Sequence, residues 1–182
     1  MKKKRALLVV DVQNDYFKNG RMALENPEQA LKQINQLEKF FIRNKQPVIY
    51  IQHISRHKIA PFFMAGTCGV KLHQGLMTNS ESIIVKKQFP NSFYETDLKQ
   101  TLDELKIEQL VITGMMTHMC VDSTTRASFE LGYQPIVISN AVATKQLTFD
   151  SQSVGAAEVQ NAFLASFETF AKVLSTEAFL AE

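Results

Sequence analysis

The chain has 182 residues, 45% of them hydrophobic and 21% charged, a balance typical of one soluble globular domain with a substantial core. Its 20 basic and 18 acidic residues leave a net charge of +2, which gives no reason to expect binding to nucleic acid or to an acidic membrane surface. Two cysteines are too few for a disulfide framework, and the apolar run after the basic start is too short for a signal peptide or a membrane span. We therefore expect a single domain over residues 1–182, in the cytoplasm, that binds neither nucleic acid nor a membrane.

Strands and helices are predicted to alternate along the chain. Continuous apolar runs are typical of strands buried on both faces, and they predict strands at 6–12, 48–54, 82–85, 109–113, 135–139 and, at an edge, 172–176. Helical spacing of apolar residues predicts helices at 27–44, 96–105, 120–131 and 153–170, with Asn26 and Thr96 as the N-caps of the first two. This order predicts an α/β fold with three layers, a Rossmann-like and mainly parallel six-stranded sheet with helices on both faces.

Two stretches show no regular periodicity. Residues 13–22 predict a loop with a turn at Asn19 and Gly20. Residues 57–76 hold aromatic residues and glycines in no clear pattern, and a long irregular segment inside a compact domain is often a binding loop or lid. No GxGxxG motif follows the first strand, so we expect no dinucleotide cofactor.

Three polar residues fall at the carboxyl ends of predicted strands: Asp11, Lys87 and Cys120. Ligands of open α/β sheets bind at this edge, so the three side chains are expected to share one cleft if their strands lie centrally. Cys120 also lies where a strand gives way to a helix, and a helix start lowers the pKa of a thiol. We therefore expect iodoacetamide to modify Cys120 before Cys68, which is predicted to have no functional role.

These residue types can perform acyl transfer through a thiol. Asp11 is suited to act as the general base for Cys120, and an ammonium group at Lys87 stabilises both anions. Lys86 is the competing cation, but side chains alternate along a strand and only one of the two lysines can face the cleft. Backbone N–H groups around residues 116–120 are placed to receive an oxyanion.

Three motifs carry a resemblance to a known family. DVQNDYF at 11–17, VKKQFPNSFYETDL at 85–98 and GMMTHMCVDSTTRAS at 114–128 occur in order and at suitable spacing. Over nearly its whole length the chain resembles the isochorismatase-like cysteine hydrolases, the superfamily that includes nicotinamidases and N-carbamoylsarcosine amidase.

The resemblance implies roles for particular residues. The implied catalytic triad is Asp11, Lys87 and Cys120, and a cis peptide bond before Met116 would turn the Met116 and Cys120 amides toward the oxyanion. Members that cleave the vinyl ether of isochorismate lack the cysteine, so its presence favours an amide or related C–N bond, cleaved through a thioester. Isochorismatase-type ether hydrolysis and a non-catalytic module that uses the thiol for redox sensing or binding remain the alternatives.

The resemblance also bears on metals, substrate and assembly. Nicotinamidases hold a metal through an Asp-x-His pair after the second strand, and the stretch from Gln52 to Ser55 lacks this pair. His53 and His57, without a carboxylate, offer too few ligands for a typical zinc site. We therefore expect no metal and no cofactor. Four residues are candidates for binding a small-molecule substrate, although each could be a core or rim residue: Phe17, Phe62, Phe63 and His118. A homodimer or homotetramer is implied, with the stretch from Phe62 to Met64 as a candidate contact patch.

Overall fold

The structure is a computed structural model that describes residues 3–182. Its strands are β1 (Arg5–Val10), β2 (Val48–His53), β3 (Ile83–Lys87), β4 (Gln109–Met115), β5 (Ile136–Ala143), β6 (Leu147–Phe149), β7 (Gln152–Val154) and β8 (Lys172–Leu174). Its α-helices are α1 (Pro27–Arg43), α2 (Leu98–Glu104), α3 (Asp122–Glu130), α4 (Ala156–Phe167) and α5 (Thr176–Leu180). Six strands pair in the order β3-β2-β1-β4-β5-β8, and every pair is parallel. The predicted fold class is thus confirmed.

Side-chain alternation along the strands divides the core into two layers. Leu7 and Val9 of β1 point to one face, where they join a cluster with α1 and α5, whereas Leu8 and Val10 point to the other, with α2 and α4. All four of these β1 side chains are fully buried, as expected for a central parallel strand that is covered on both sides. Helices therefore cover both faces of the sheet, and its carboxyl edge is left for the connecting loops.

The contact between β1 and β4 depends on Gly114. Gly114 pairs with Val10 and has a φ of 119°, a backbone conformation that other residues rarely adopt. A Cβ atom at this position would lie 2.0 Å from the carbonyl oxygen of Val10. Only glycine lets the two central strands approach closely just before they deliver Asp11 and the turn that holds Cys120.

Beyond β4 the structure departs from the predicted elements. β5 runs to Ala143 instead of residue 139, and its pairing with β4 jumps from Val137 to Val142 within two β4 residues, which is an irregularity that apolar periodicity cannot indicate. Ser153, predicted to start a helix, lies in the β6–β7 hairpin, and α4 begins only at Ala156. The last strand ends at Leu174 and is followed by the short helix α5, which was not predicted.

The hairpin and the caps show why local signals failed. Asp150 and Ser151 both have positive φ, as in a type I′ turn, but without the glycine that normally marks that turn in a sequence. Asn26 occupies the N-cap position of α1 but makes no side-chain capping bond, because its own backbone is left-handed. Asp97, and not Thr96, is the N-cap of α2, although the Thr96 hydroxyl accepts a bond from the Leu98 amide.

Residues 57–76 contain no helix or strand, in agreement with the predicted irregular segment. An isolated bridge between Gln13 and Leu72 and a bond from the His73 amide to the Val12 carbonyl, 2.9 Å long, join this segment to the chain after β1. None of the helices within residues 3–182 is long and apolar enough to cross a bilayer.

Gly114 and Gly132 provide a matched test of the close contact between the central strands. Both have positive φ, but nothing lies within 4 Å of a Cβ built on Gly132. We expect Gly132→Ala to lower the free energy of unfolding by about 1 kcal/mol, the cost of a strained backbone alone. Gly114→Ala adds a collision with backbone and should cost at least about 3 kcal/mol. Urea titrations of both variants measure this, and equal losses would contradict the role given to Gly114.

Candidate active site

Asp11 and Lys87 form a buried ion pair at the carboxyl edge of the sheet. Lys87 Nζ lies 2.8 Å from Asp11 Oδ2, and neither side chain is exposed to solvent. β3 is an edge strand, so Lys87 must reach past the end of β2. The two strand spacings of about 4.8 Å each are bridged by the lysine stem, the 2.8 Å contact and the Asp11 side chain together. The ammonium also donates to the Pro90 carbonyl at 2.7 Å, and Lys86 points to solvent as the predicted alternation requires.

The charges of the pair sustain each other. Burial works against ionisation of Asp11, but the Lys87 ammonium and the neighbouring His53 outweigh it and lower the pKa of the carboxyl below its usual value. Burial likewise works against a charged Lys87, and the Asp11 carboxylate outweighs it and raises the lysine pKa. Asp11 Oδ1 is buried and has no hydrogen-bond partner within residues 3–182, so one strong acceptor of the pair is still available.

Cys120 lies in a π-helical turn, Thr117–Val121, between β4 and α3. Its side chain is almost fully buried, and its Sγ lies 3.8 Å from His53 Nδ1. Burial and then the Asp11 carboxylate raise the pKa of the thiol, and Lys87 offsets this only in part. The direction is thus opposite to the lowering expected from a helix start, and its first cause is the removal of the thiol from water.

The turn that contains Cys120 is held by a hydrogen bond to the side chain of Gln160 in α4. The peptide bond between Met115 and Met116 is cis, as the resemblance implies. The Thr117 hydroxyl lies 2.7 Å from Gln160 Oε1, and the Gln160 amide donates to the Val142 carbonyl at 3.2 Å. The side chain of Gln160 in α4 thereby fixes the turn against the end of β5.

His53 is a residue of this site that sequence reasoning considered only as a metal ligand. Its Nδ1 lies 3.8 Å from both Asp11 Oδ2 and Cys120 Sγ. Gln13 fixes the backbone of His53 from both sides: its amide donates to the His53 carbonyl at 2.9 Å, and its oxygen accepts from the His53 N–H at 2.8 Å. His53 ends β2, which neighbours β1, so the rule that places ligands at strand ends could have identified it.

The four predicted substrate-binding residues do not all meet at this cluster. The Phe63 ring lies 5.7 Å from the His53 ring, and Phe62 packs on Phe63 at 4.9 Å. Phe17 is buried against His73, with ring centres 3.9 Å apart. The imidazole of His118 lies 2.5 Å from the Thr144 hydroxyl, in contact with the β5 end of the molecule. Of the four predicted substrate-binding residues, Phe63 is thus the one with a described contact to the active-site cluster, which consists of Asp11, His53, Lys87 and Cys120.

Two residues missed by the sequence analysis hold the irregular segment over the site. Asp15, which lies in the predicted loop 13–22, is buried, and its carboxylate accepts from the Phe63 amide at 2.6 Å and the Arg21 amide at 3.2 Å. Tyr16 is buried beside it, with its ring 4.7 Å from that of Phe63. Phe63 is buried, whereas Phe62 and Met64 are half-buried, and the role of this stretch as a contact patch stays a prediction.

The donor atoms of the site include a set that a metal could use. Asp11, His53 and Cys120 each offer one ligand atom, and these atoms lie within 4.8 Å of one another. The Lys87 ammonium, however, already neutralises Asp11 at 2.8 Å and would repel a second cation in the same buried space. His57 is exposed and is not one of the three residues. These residues do not fit a metal centre, and the absence of a metal stays a prediction.

Comparison with known proteins agrees with the resemblance that the three motifs carry. The sequence profile of the isochorismatase domain matches residues 5–178. The Bacillus subtilis isochorismatase family protein YddQ is 43% identical over 176 residues, which cover 96% of this chain and 98% of YddQ. A crystal structure of an isochorismatase-type hydrolase from Oleispira antarctica matches with a TM-score of 0.95 at 38% identity, over 100% of this chain and 98% of that one.

A more distant relative has a defined activity. The ureidoacrylate amidohydrolase RutB of Variovorax paradoxus is 30% identical over 123 residues, which cover 67% of this chain and 45% of RutB. The profile match extends from β1 to α5, and the YddQ and Oleispira antarctica alignments span nearly the full length of both proteins. The chain belongs to the isochorismatase family of hydrolases.

Proposed function

We propose that the protein hydrolyses a small amide or a related C–N bond through a thioester on Cys120. The observation that carries this proposal is the gathering of a thiol, a carboxylate with an unused acceptor atom and an ammonium in one buried cluster. These groups are the nucleophile, the general base and the electrostatic stabiliser that acyl transfer needs. RutB, as an amidohydrolase, supports the choice of a C–N bond.

The first half of the reaction forms the thioester. Asp11 takes the thiol proton as Cys120 Sγ attacks the carbonyl carbon, and the backbone amides of Met116 and Cys120 receive the oxyanion. Asp11 then returns the proton to the leaving nitrogen, and the C–N bond breaks. Lys87 stabilises first the carboxylate and then the thiolate. The raised pKa of Cys120 favours a neutral thiol in the resting site, so Asp11 has to remove this proton as part of the attack.

Substrate contacts and cellular setting complete the proposal. Phe63, with Phe62 packed on it, would supply the apolar contact to substrate. Phe17 and His118, which contact His73 and Thr144, stay predictions as substrate-binding residues. A reducing, cytoplasmic setting suits a mechanism that needs a free thiol, and Cys68 and Cys120 are both free. Self-association into a homodimer or homotetramer stays a prediction, as does the stretch from Phe62 to Met64 as its candidate contact patch.

Isochorismatase-type ether hydrolysis is the second candidate. The resemblance implies that this reaction needs no cysteine, whereas Cys120 here lies beside Asp11, His53 and Lys87. A non-catalytic thiol module would likewise have no use for the base and the cation. Both alternatives are separated from the proposal by removing the thiol.

We expect Cys120→Ala to lower the turnover of any amide that the protein cleaves by at least about 10³-fold, because no covalent intermediate can form. A screen of small amides, lactams and carbamoyl compounds, with mass spectrometry to detect an acyl adduct on Cys120, supplies the substrate. Cys68→Ser is the matched control and should keep full activity. Undiminished amide hydrolysis by Cys120→Ala, with native circular dichroism, would rule out the thioester mechanism.

Lys87 and its neighbour Lys86 give a second matched pair. Lys87→Met leaves Asp11 buried without its partner, so we expect a loss of turnover and of about 3–5 kcal/mol in the free energy of unfolding. Exposed Lys86→Met should change the free energy of unfolding by less than about 0.5 kcal/mol.

The loss caused by Lys87→Met should depend on pH. Without the ammonium, burial holds the folded-state pKa of Asp11 above its unfolded value of about 3.9. The variant therefore loses stability as the pH rises above about 3.9 toward the folded-state pKa. The wild-type pair behaves in the opposite sense, because its lowered Asp11 pKa makes stability fall as pH drops. Thermal melts should therefore show a larger difference at about pH 7 than at about pH 4; a constant difference would show that Lys87 acts by packing alone.

The burial of Cys120 also reverses the predicted order of alkylation. Cys68 is exposed, whereas Cys120 is covered and its pKa is raised. We now expect iodoacetamide at neutral pH to modify Cys68 first, because a thiol must be both reached and ionised to react. Timed digestion and peptide mass mapping measure both rates. Faster modification of Cys120 would mean that residues 57–76 open often and that the thiol ionises when they do.

A further inference from the structure

His53 differs from the other groups around Cys120 in its access to water. Its side chain is 16% exposed, whereas those of Asp11 and Lys87 are fully buried. Its Nδ1 is within hydrogen-bonding reach of Cys120 Sγ, at 3.8 Å. Resting on the proposed function, we infer that His53 is a further catalytic residue, the acid–base group that activates water for hydrolysis of the thioester.

The backbone of His53 is held by hydrogen bonds, and its ring packs against an aromatic side chain. Gln13 is fully buried and binds the His53 backbone through both of its amide atoms. The same Gln13 amide donates to the Val70 carbonyl at 2.7 Å, which ties the irregular segment to the side chain that binds the His53 backbone. The Phe63 ring, itself anchored through the Asp15 carboxylate, lies against His53. A ring fixed in this way can take a proton from a water without first reorganising.

Asp11 is poorly placed for the second half of the reaction. Its carboxylate is fully buried and bound to Lys87, so it does not face the solvent from which the water has to come. Once an acyl group is attached to Sγ, water has to approach the carbonyl carbon from the exposed side of the cluster. His53 occupies that side.

The proposed step conserves protons and electron pairs. The imidazole removes one proton from water as the water oxygen forms a bond to the thioester carbonyl carbon. The tetrahedral intermediate then collapses, the C–S bond breaks, and the bonding pair leaves with sulfur. The imidazolium returns its proton to the thiolate, so that the free acid departs and Cys120 and His53 regain their starting forms.

The test uses p-nitrophenyl acetate, an activated ester whose p-nitrophenolate needs no proton to leave. All variants carry Cys68→Ser, so that Cys120 is the single thiol. Acetylation appears as a burst of p-nitrophenolate, and the steady-state rate then reports hydrolysis of the acetyl-enzyme. We expect His53→Gln to keep a burst of about one per chain and to lose about 10²-fold or more in the steady state, with acetyl-Cys120 accumulating by mass spectrometry.

Two further measurements separate chemistry from folding. Added imidazole should raise the steady-state rate of His53→Ala, which an unfolded or merely misplaced site would not allow. His57→Gln, at an exposed position on the same segment, should behave as the parent does.

An unchanged steady-state rate in His53→Gln overturns the inference. Loss of the burst in a natively folded His53→Gln overturns it too, because His53 would then serve acylation. A parent without any burst or acetyl-Cys120 contradicts the proposed thioester function itself, an outcome recognisable before any His53 variant is made.

Discussion

The ion pair between Asp11 and Lys87 is the constraint on which the rest of the site depends. Removing a carboxylate and an ammonium from water costs several kcal/mol for each ion, and their attraction repays this only with close contact and further hydrogen bonds. The 2.8 Å contact and the Pro90 carbonyl meet that demand. An apolar pair of similar volume would stabilise the fold equally well or better, so the pair is best explained by the chemistry that it permits.

The pair also accounts for the layout around it. β3 lies at the edge of the sheet, yet its last residue must reach Asp11 beyond the end of β2, so β2 has to stop at His53. The loops that follow then close the space above through Asp15 and Gln13, whose bonds reach from the first motif to residues 53–71. Side chains far apart in the chain thus become ordered together, which is the condition for a preorganised site.

Much of this arrangement could be predicted from the sequence. The apolar runs that define β1, β2 and β4 are long and uninterrupted, and residues at the ends of parallel strands must converge at one edge of the sheet. The convergence of Asp11, Lys87 and Cys120 could therefore be predicted. The hairpin turn at Asp150 and Ser151 could not, because left-handed backbone without glycine leaves no local signal. The direction of the pKa shift of Cys120 could not be predicted from the sequence either, because it depends on how deeply the tertiary fold buries the thiol and on the nearby carboxylate. To place His53 in the site, one would have had to know that β2 lies beside β1 in the sheet.

The exposed position of Cys68 has a consequence for handling the purified protein. In air, disulfide formation between molecules will begin at this thiol and leave the covered Cys120 intact. Such preparations would contain covalently linked pairs of chains that still carry a complete cluster. Their apparent mass in gel filtration would then imitate a native dimer, and non-reducing electrophoresis distinguishes the two.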